Sequence, residues 1–290
     1  MTPHPTAPSA GGVVAGTYLR SLRHDRQLPL SYAAEIIGGG YAMAREIETG
    51  YLIPDEAMVE DLLRAYGVVG EHHAQALMSL IRDATKGRFA CHDGGPGWLS
   101  RLRACEGSAS TIVAYSAWFI PGILHTPAYA ALWRSVQFGA HTPTASETSA
   151  RVLPAAPGKH ITVLLDESVL LRAIGGPTVM ADQLAHVLET VDSGDVRVRI
   201  VPMSAPLVVP PGTLSELSLT RQRLYVEEAH GVVYSTGPDE SPLRNSILEH
   251  AFQVSLSPEN SLARVHAAQR SFASAAAAAP APHTAHRNAE

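Results

Sequence analysis

Residues 30–50 read LSYAAEIIGGGYAMAREIETG. Ala33, Ala34, Ile36 and Ile37 follow the 3.6-residue period of a short helix that begins after Pro29, with Ser31 as a candidate cap. Gly38, Gly39 and Gly40 interrupt it. A second helix then runs from Tyr41 to Glu48 and stops at Gly50. Two short helices about a glycine turn have the form of a helix-turn-helix. Upstream, Tyr18, Leu19 and Leu22 share one face of an earlier helix. Downstream, Met58, Val59, Leu62 and Leu63 repeat in another, and Ala74 to Ile81 has the pattern of a fifth. Residues 13–85 are therefore expected to form a compact all-α module behind a flexible lead-in of residues 1–12.

Past this module the period changes. Lys86 to Gly97 is a Gly-rich break, read as a linker. Thr111 to Phe119, His160 to Leu165 and Val196 to Val201 read as strands, the last alternating Val196, Val198 and Ile200 with Arg197 and Arg199. Helical patterns fill Pro127 to Gln137 and Val179 to Val191. Leu214 to Leu219, Leu224 to Glu228 and Val232 to Ser235 read as a meander with its last turn at His230-Gly231. Helices over Leu243 to Val254 and Pro258 to Ser274 close the pattern. The expectation is an α+β protein: the helix-turn-helix module, then a larger α+β domain over 98–274 with a mixed or antiparallel sheet. An Ala-Pro tail over 275–290 is expected to be disordered.

Composition narrows the function classes. The 290 residues are 46% apolar and 17% charged, enough to bury a core and too few charges for a coiled coil. A net charge of −5 does not advertise a nucleic-acid partner. Cys91 and Cys105 form no CxxC pair, and the histidines are scattered (His72 and His73 lie about 100° apart on a helix), so no metal site is expected. Met1 to Gly12 lacks the basic and apolar regions of a signal peptide. Ala109 to Leu124 is too short for a span and is interrupted by Pro121 and Gly122. A cytoplasmic protein that does not enter membranes is the expectation.

Two elements of the second half carry a resemblance. Ile120-Pro121-Gly122-Ile123-Leu124-His125-Thr126-Pro127-Ala128-Tyr129-Ala130 is similar to a vPGLLQTpeYA element. Leu165-Asp166-Glu167-Ser168-Val169-Leu170, followed by Gly175-Gly176 and Gln183-Leu184, is similar to ldEaaLrr.vGg..vm..QL. Both belong to actinomycete regulators that join an Xre-like, Cro/repressor-type helix-turn-helix to a C-terminal antitoxin-like domain of unknown function. The chain resembles that family over roughly Gly16 to Phe272. The resemblance implies transcriptional regulation, with the C-terminal domain sensing a small molecule or a partner; a homodimer is compatible with it, and the sequence leaves the oligomeric state open.

The helix-turn-helix departs from its relatives, which read close to LSYEDAAEVIGGSASKISRIERG. Two residues are missing after Tyr32, a rotation of about 200° at 3.6 residues per turn. Helix two is therefore expected to begin later or to repack. The polar recognition run is replaced by Gly40 to Glu46. Only Arg45 and the Tyr41 hydroxyl could reach DNA, and Glu46 stands where a phosphate-facing arginine is expected. Residues 1–66 hold five arginines against eight Asp or Glu, a net charge of −3. Non-specific DNA affinity rests on cations, so weak or no DNA binding is expected.

Signs of catalysis are few. The sequence has no GxSxG, HExxH or GxxxxGK[ST], and no cofactor is expected. Asp166 and Glu167 read as an N-cap and first-turn acid. Glu227 and Glu228 point to opposite faces of a strand. Tyr115, Trp118, Phe119, Tyr129 and Trp133 are the densest aromatic group, read as core or as the wall of a ligand pocket. Alternation puts Trp118 on the face opposite Tyr115. Tyr115, Trp118, His125, Asp166, Arg221 and Glu227 are the pocket candidates. Three functions compete: a regulator with weakened DNA contacts, a cofactor-independent cyclase or isomerase of natural-product biosynthesis, and an antitoxin-like interaction module.

Overall fold

The computed structural model describes residues 7–68, 75, 78–79, 82–83, 89–95, 97–138, 159–220, 222–229, 231–236 and 241–278. Four helices open the chain: α1 (Ala10–Asp25), α2 (Leu30–Ile36), α3 (Gly40–Glu48) and α4 (Glu56–Ala65). Next come β1 (Phe89–Asp93), α5 (Trp98–Ser108), β2 (Thr111–Ser116), α6 (Pro127–Phe138) and β3 (His160–Asp166). After α7 (Pro177–Asp192), strands β4 (Val196–Val201), β5 (Thr213–Ser218), β6 (Arg223–Ala229) and β7 (Gly231–Thr236) lead to α8 (Pro242–Val254) and α9 (Pro258–Ala278). Most of the fifth helical pattern, Ala74 to Ile81, lies outside the described residues, as do His72, His73 and His230.

The described strands make one mixed sheet in the order β1-β7-β6-β5-β2-β3-β4, an α+β fold. β2, β3 and β4 run parallel, so each needs a crossover; α6 and α7 lie on those connections. The remaining neighbours pair antiparallel. One face of the sheet carries Ile112, Val163, Leu165, Val198, Leu217, Val226 and Tyr234 into a core shared with α1, α5, α6, α7 and α9. On the other face Tyr115, Leu164, Leu214 and Tyr225 pack under Ile247, Leu248 and Ala251 of α8.

Several expectations change. The lead-in is not a loose segment at its end: the Ser9 side chain caps α1 at the Gly12 amide, and Ala10, Gly11 and Gly12 are buried. Within the 86–97 break, β1 pairs with β7 from Phe89↔Thr236 to Asp93↔Val232 and forms the sheet edge. Pro29, not Ser31, sits at the N-cap of α2, which begins at Leu30 despite the two missing residues. β2 ends at Ser116, ahead of Trp118. The alanine run carries α9 to Ala278, four residues into the expected tail, because alanine pays least to be helical.

The helical module shares its core with the sheet domain rather than hanging from it. The Ala10 amide donates to Gln222 Oε1 at 2.7 Å, and the Arg101 guanidinium of α5 lies 4.3 Å from the Tyr18 ring centre. Within the module, Arg23 of α1 makes a buried bidentate pair with Glu48 of α3, at 2.6 and 2.7 Å. Gly12 and Gly16 let α1 touch the end of α3, because a Cβ at Gly16 would overlap the Ile47 carbonyl.

Candidate functional site: an arginine between two carboxylates

The sequence around α5, WLSRLRACEGS, puts Leu99, Leu102 and Cys105 into the core and carries Arg103 and Glu106 along with them. The Arg103 Nη1 donates to both Glu106 oxygens, at 2.8 and 2.6 Å. The pair is 13% and 9% exposed. A third charge arrives from β6. Leu224 and Val226 face the main core, and period two brings Glu228 to the same face.

These three groups meet beneath the 3-10 turn Gly122–Leu124, with Thr213 and Ser215 of β5 behind them, around a cavity of about 10 Å3. That is room for one water molecule. The Arg103 guanidinium lies where a Cβ at Gly122 would be, so a larger residue there would displace it. Burial pushes the Glu228 carboxyl up to about 7, with Arg103 pulling it down and Glu106 pushing it up. The arrangement can hold one water and exchange one proton near neutrality. It has no room for an organic substrate as it stands.

The pocket candidates do not converge. Tyr115 is fully buried beneath α8, and its hydroxyl donates to Asp166 Oδ2 at 3.3 Å; burial raises its phenol first, and the nearby carboxylate adds to the effect. Asp166 Oδ1 accepts from the Ser168 amide at 2.9 Å, so the carboxylate is the expected cap. Glu227 lies on the α8 face and accepts from Arg244 at 3.1 Å. Trp118, 42% exposed, stands beyond the end of β2, gives its indole N–H to Pro210 O and carries Arg172 over its ring. Arg221 lies outside the described residues.

His125 is on the opposite face, in the main core. Its Nε2 lies 2.6 Å from Ile120 O, and its ring packs 4.9 Å from Tyr129 and 5.7 Å from Trp133. Burial drives its pKa down to about 3, so it is neutral and donates to that carbonyl. Gln183 reinforces the turn by accepting from the Thr126 amide and donating to Leu124 O. The aromatic group is thus split between two cores and the surface, and does not line one pocket.

The sequence pattern put Glu227 and Glu228 on opposite faces of one strand, and of the two it is Glu228 that faces the core with Arg103 and Glu106, which the pattern did not single out. The signal was present: Leu224, Val226 and Glu228 form a period-two stripe whose third member is charged. At the other candidate surface, α3 turns Ala44, Ile47 and Glu48 inward and leaves Tyr41, Ala42 and Arg45 exposed, Tyr41 at 62%. Glu46 is half-buried beside them.

No curated protein matches the chain. A family described as Domain of unknown function (DUF5753) matches residues 99–267, from the first turn of α5 into α9. The match takes in Arg103, Glu106, the 120–130 segment and Glu228, and on that span, more than half its length, the chain belongs to the DUF5753 family.

Proposed function

We propose that the protein is a transcriptional regulator of the helix-turn-helix type, with weakened DNA contacts and a DUF5753 domain that responds to a small molecule or a partner. The observation that carries this reading is the pose of α3. It is locked on its inner face by Arg23–Glu48 and follows α2 after a short glycine turn. Its outer face is free to meet a groove or another surface. That outer face offers one guanidinium, Arg45, and one phenol, Tyr41. Few phosphates can be neutralised by so little charge.

Duplex binding measured across salt tests this. About two to four neutralised phosphates per protomer correspond to a log–log slope of roughly −2 to −4. Arg45→Ala should flatten the slope by about one, and Glu46→Arg should strengthen non-specific binding. Nanomolar affinity at physiological salt with a steep slope would refute the weakened contact, and indifference to both substitutions would take α3 off the DNA. The interaction reading draws on the same surface, since a tyrosine 62% exposed on a helix in an acidic module suits a protein partner.

A further inference from the structure

A second concavity lies on the seam between the helical module and the family domain. Thr17, Arg20, Ser21 and His24 recur on one face of α1 at helical spacing, opposite Ser100 and Arg101 of α5, and together they line a groove of about 260 Å3. Its size is a little below the usual range of small-molecule sites. The chemistry of its walls is specific. Arg101 is committed: its Nε and Nη2 bind Asp93 at 2.6 and 2.7 Å, and Nη2 also reaches Gly95 O. Arg20 is half-buried and has no acceptor among the described residues. The hydroxyls of the half-buried Ser21 and the exposed Ser100 likewise have no acceptor among the described residues. Asp25 is the single carboxylate of the lining and is exposed.

We propose that this groove binds a small ligand through an oxyanion, a phosphate or carboxylate, held by Arg20 with Ser21 and Ser100 donating hydroxyl hydrogens. A guanidinium fork and two hydroxyls are a set of donors without matching acceptors, which a free oxyanion satisfies in full. The inference deepens the regulatory reading and rests on it only for its consequence. The groove is built on α1, and α1 also holds α3 through Arg23–Glu48 and the Gly12 and Gly16 contacts, so a ligand there grips the helix that fixes the pose of α3.

The test is calorimetric titration of the full chain with inorganic phosphate and, separately, with citrate. Saturable binding of either is the expected result, and the one that binds identifies the source of the oxyanion. Arg20→Gln should weaken it about tenfold or more, the loss expected for a charge-assisted contact. Ser100→Ala, on an exposed site that leaves α5 intact, should weaken it severalfold and keeps the test open should Arg20→Gln fold poorly. Absence of saturable binding, or equal binding by both variants, overturns the proposal. So does a duplex oligonucleotide that competes with phosphate and needs Arg20, since the arginine would then serve the DNA backbone. Binding that depends on Arg20 but leaves DNA affinity unchanged supports the site and overturns the regulatory reading alone.

Discussion

Glu228 gives the site a measurable sign. An ordinary glutamate releases its proton near 4.5, but burial beside Glu106 holds this one until about pH 7, even with Arg103 close by. Between those values the folded chain binds more protons than the unfolded one, so stability falls as pH rises. It is full below about 4.5, and the loss is complete a little above 7. At about 1.4 kcal/mol per pH unit the loss is about 3.5 kcal/mol at most, and nearer 2 because Glu228 keeps part of its surface in water. Glu228→Gln imitates the protonated acid in shape. It strands no charge, since Arg103 retains both bonds to Glu106. Urea unfolding of both proteins from pH 4.5 to 8 should give curves that meet at the acid end. They should diverge until the variant is about 2 to 3 kcal/mol more stable at pH 8. Parallel curves, or a variant less stable at pH 8, would show that Glu228 is solvated and that the cavity is not its environment.

His125 tilts the other way. Held near 3 against an ordinary 6.5, it gives stability that is present above 6.5 and is lost as pH falls, up to about 4 to 5 kcal/mol by pH 3. His125→Gln keeps a donor for Ile120 O and cannot titrate, so its acid unfolding curve between pH 6.5 and 3 should be flatter than that of the parent. The Arg23–Glu48 pair is buried at 7% on both sides, and Glu48→Ala should cost about 3 to 5 kcal/mol in thermal or urea unfolding by stranding the guanidinium. Arg23→Met together with Glu48→Leu should recover most of that; a double variant as unstable as the single one would mean that packing, not charge, is what was lost.

The strands facing the core were legible because burial writes itself in period two: β3, β4 and the β5–β7 meander fall within a residue or two of the sequence pattern. β1 was not, since FACHD offers one aromatic, no branched residue and glycines close behind; an edge strand buried on one side needs little more. Nearness in sequence misled for the aromatics. Tyr115 and Trp118 are three apart, but β2 ends at Ser116 and the chain turns at Pro121, sending one into a core and the other to the surface. Glu228 was readable from its stripe, whereas Arg103 and Glu106 were not. Nothing local tells a buried ion pair at i, i+3 from a solvated one; only the sheet laid over it decides.

The limits of the family match also differ from the limits of the folding unit. DUF5753 similarity starts at Leu99, one residue into α5, yet α5 is covered by α1, and the edge of the sheet is completed by β1. The apolar side chains of Leu99, Leu102 and Cys105 share one core with Leu19 and Leu22, and the Cys105 thiol lies 3.9 Å from Thr17 Oγ1. Burial on this scale is worth about 25 cal/mol for each Å2 of apolar surface, so α1 is bound to the domain more firmly than a tether could bind it. The same helix holds α3 by an ion pair and two glycine contacts. A displacement of α1 against α5 must therefore either move α3 or break Arg23–Glu48, and the second costs several kcal/mol. The residues that transmit this linkage are on the inner faces of α1 and α3, so replacing the exposed Tyr41, Ala42 or Arg45 should leave it intact.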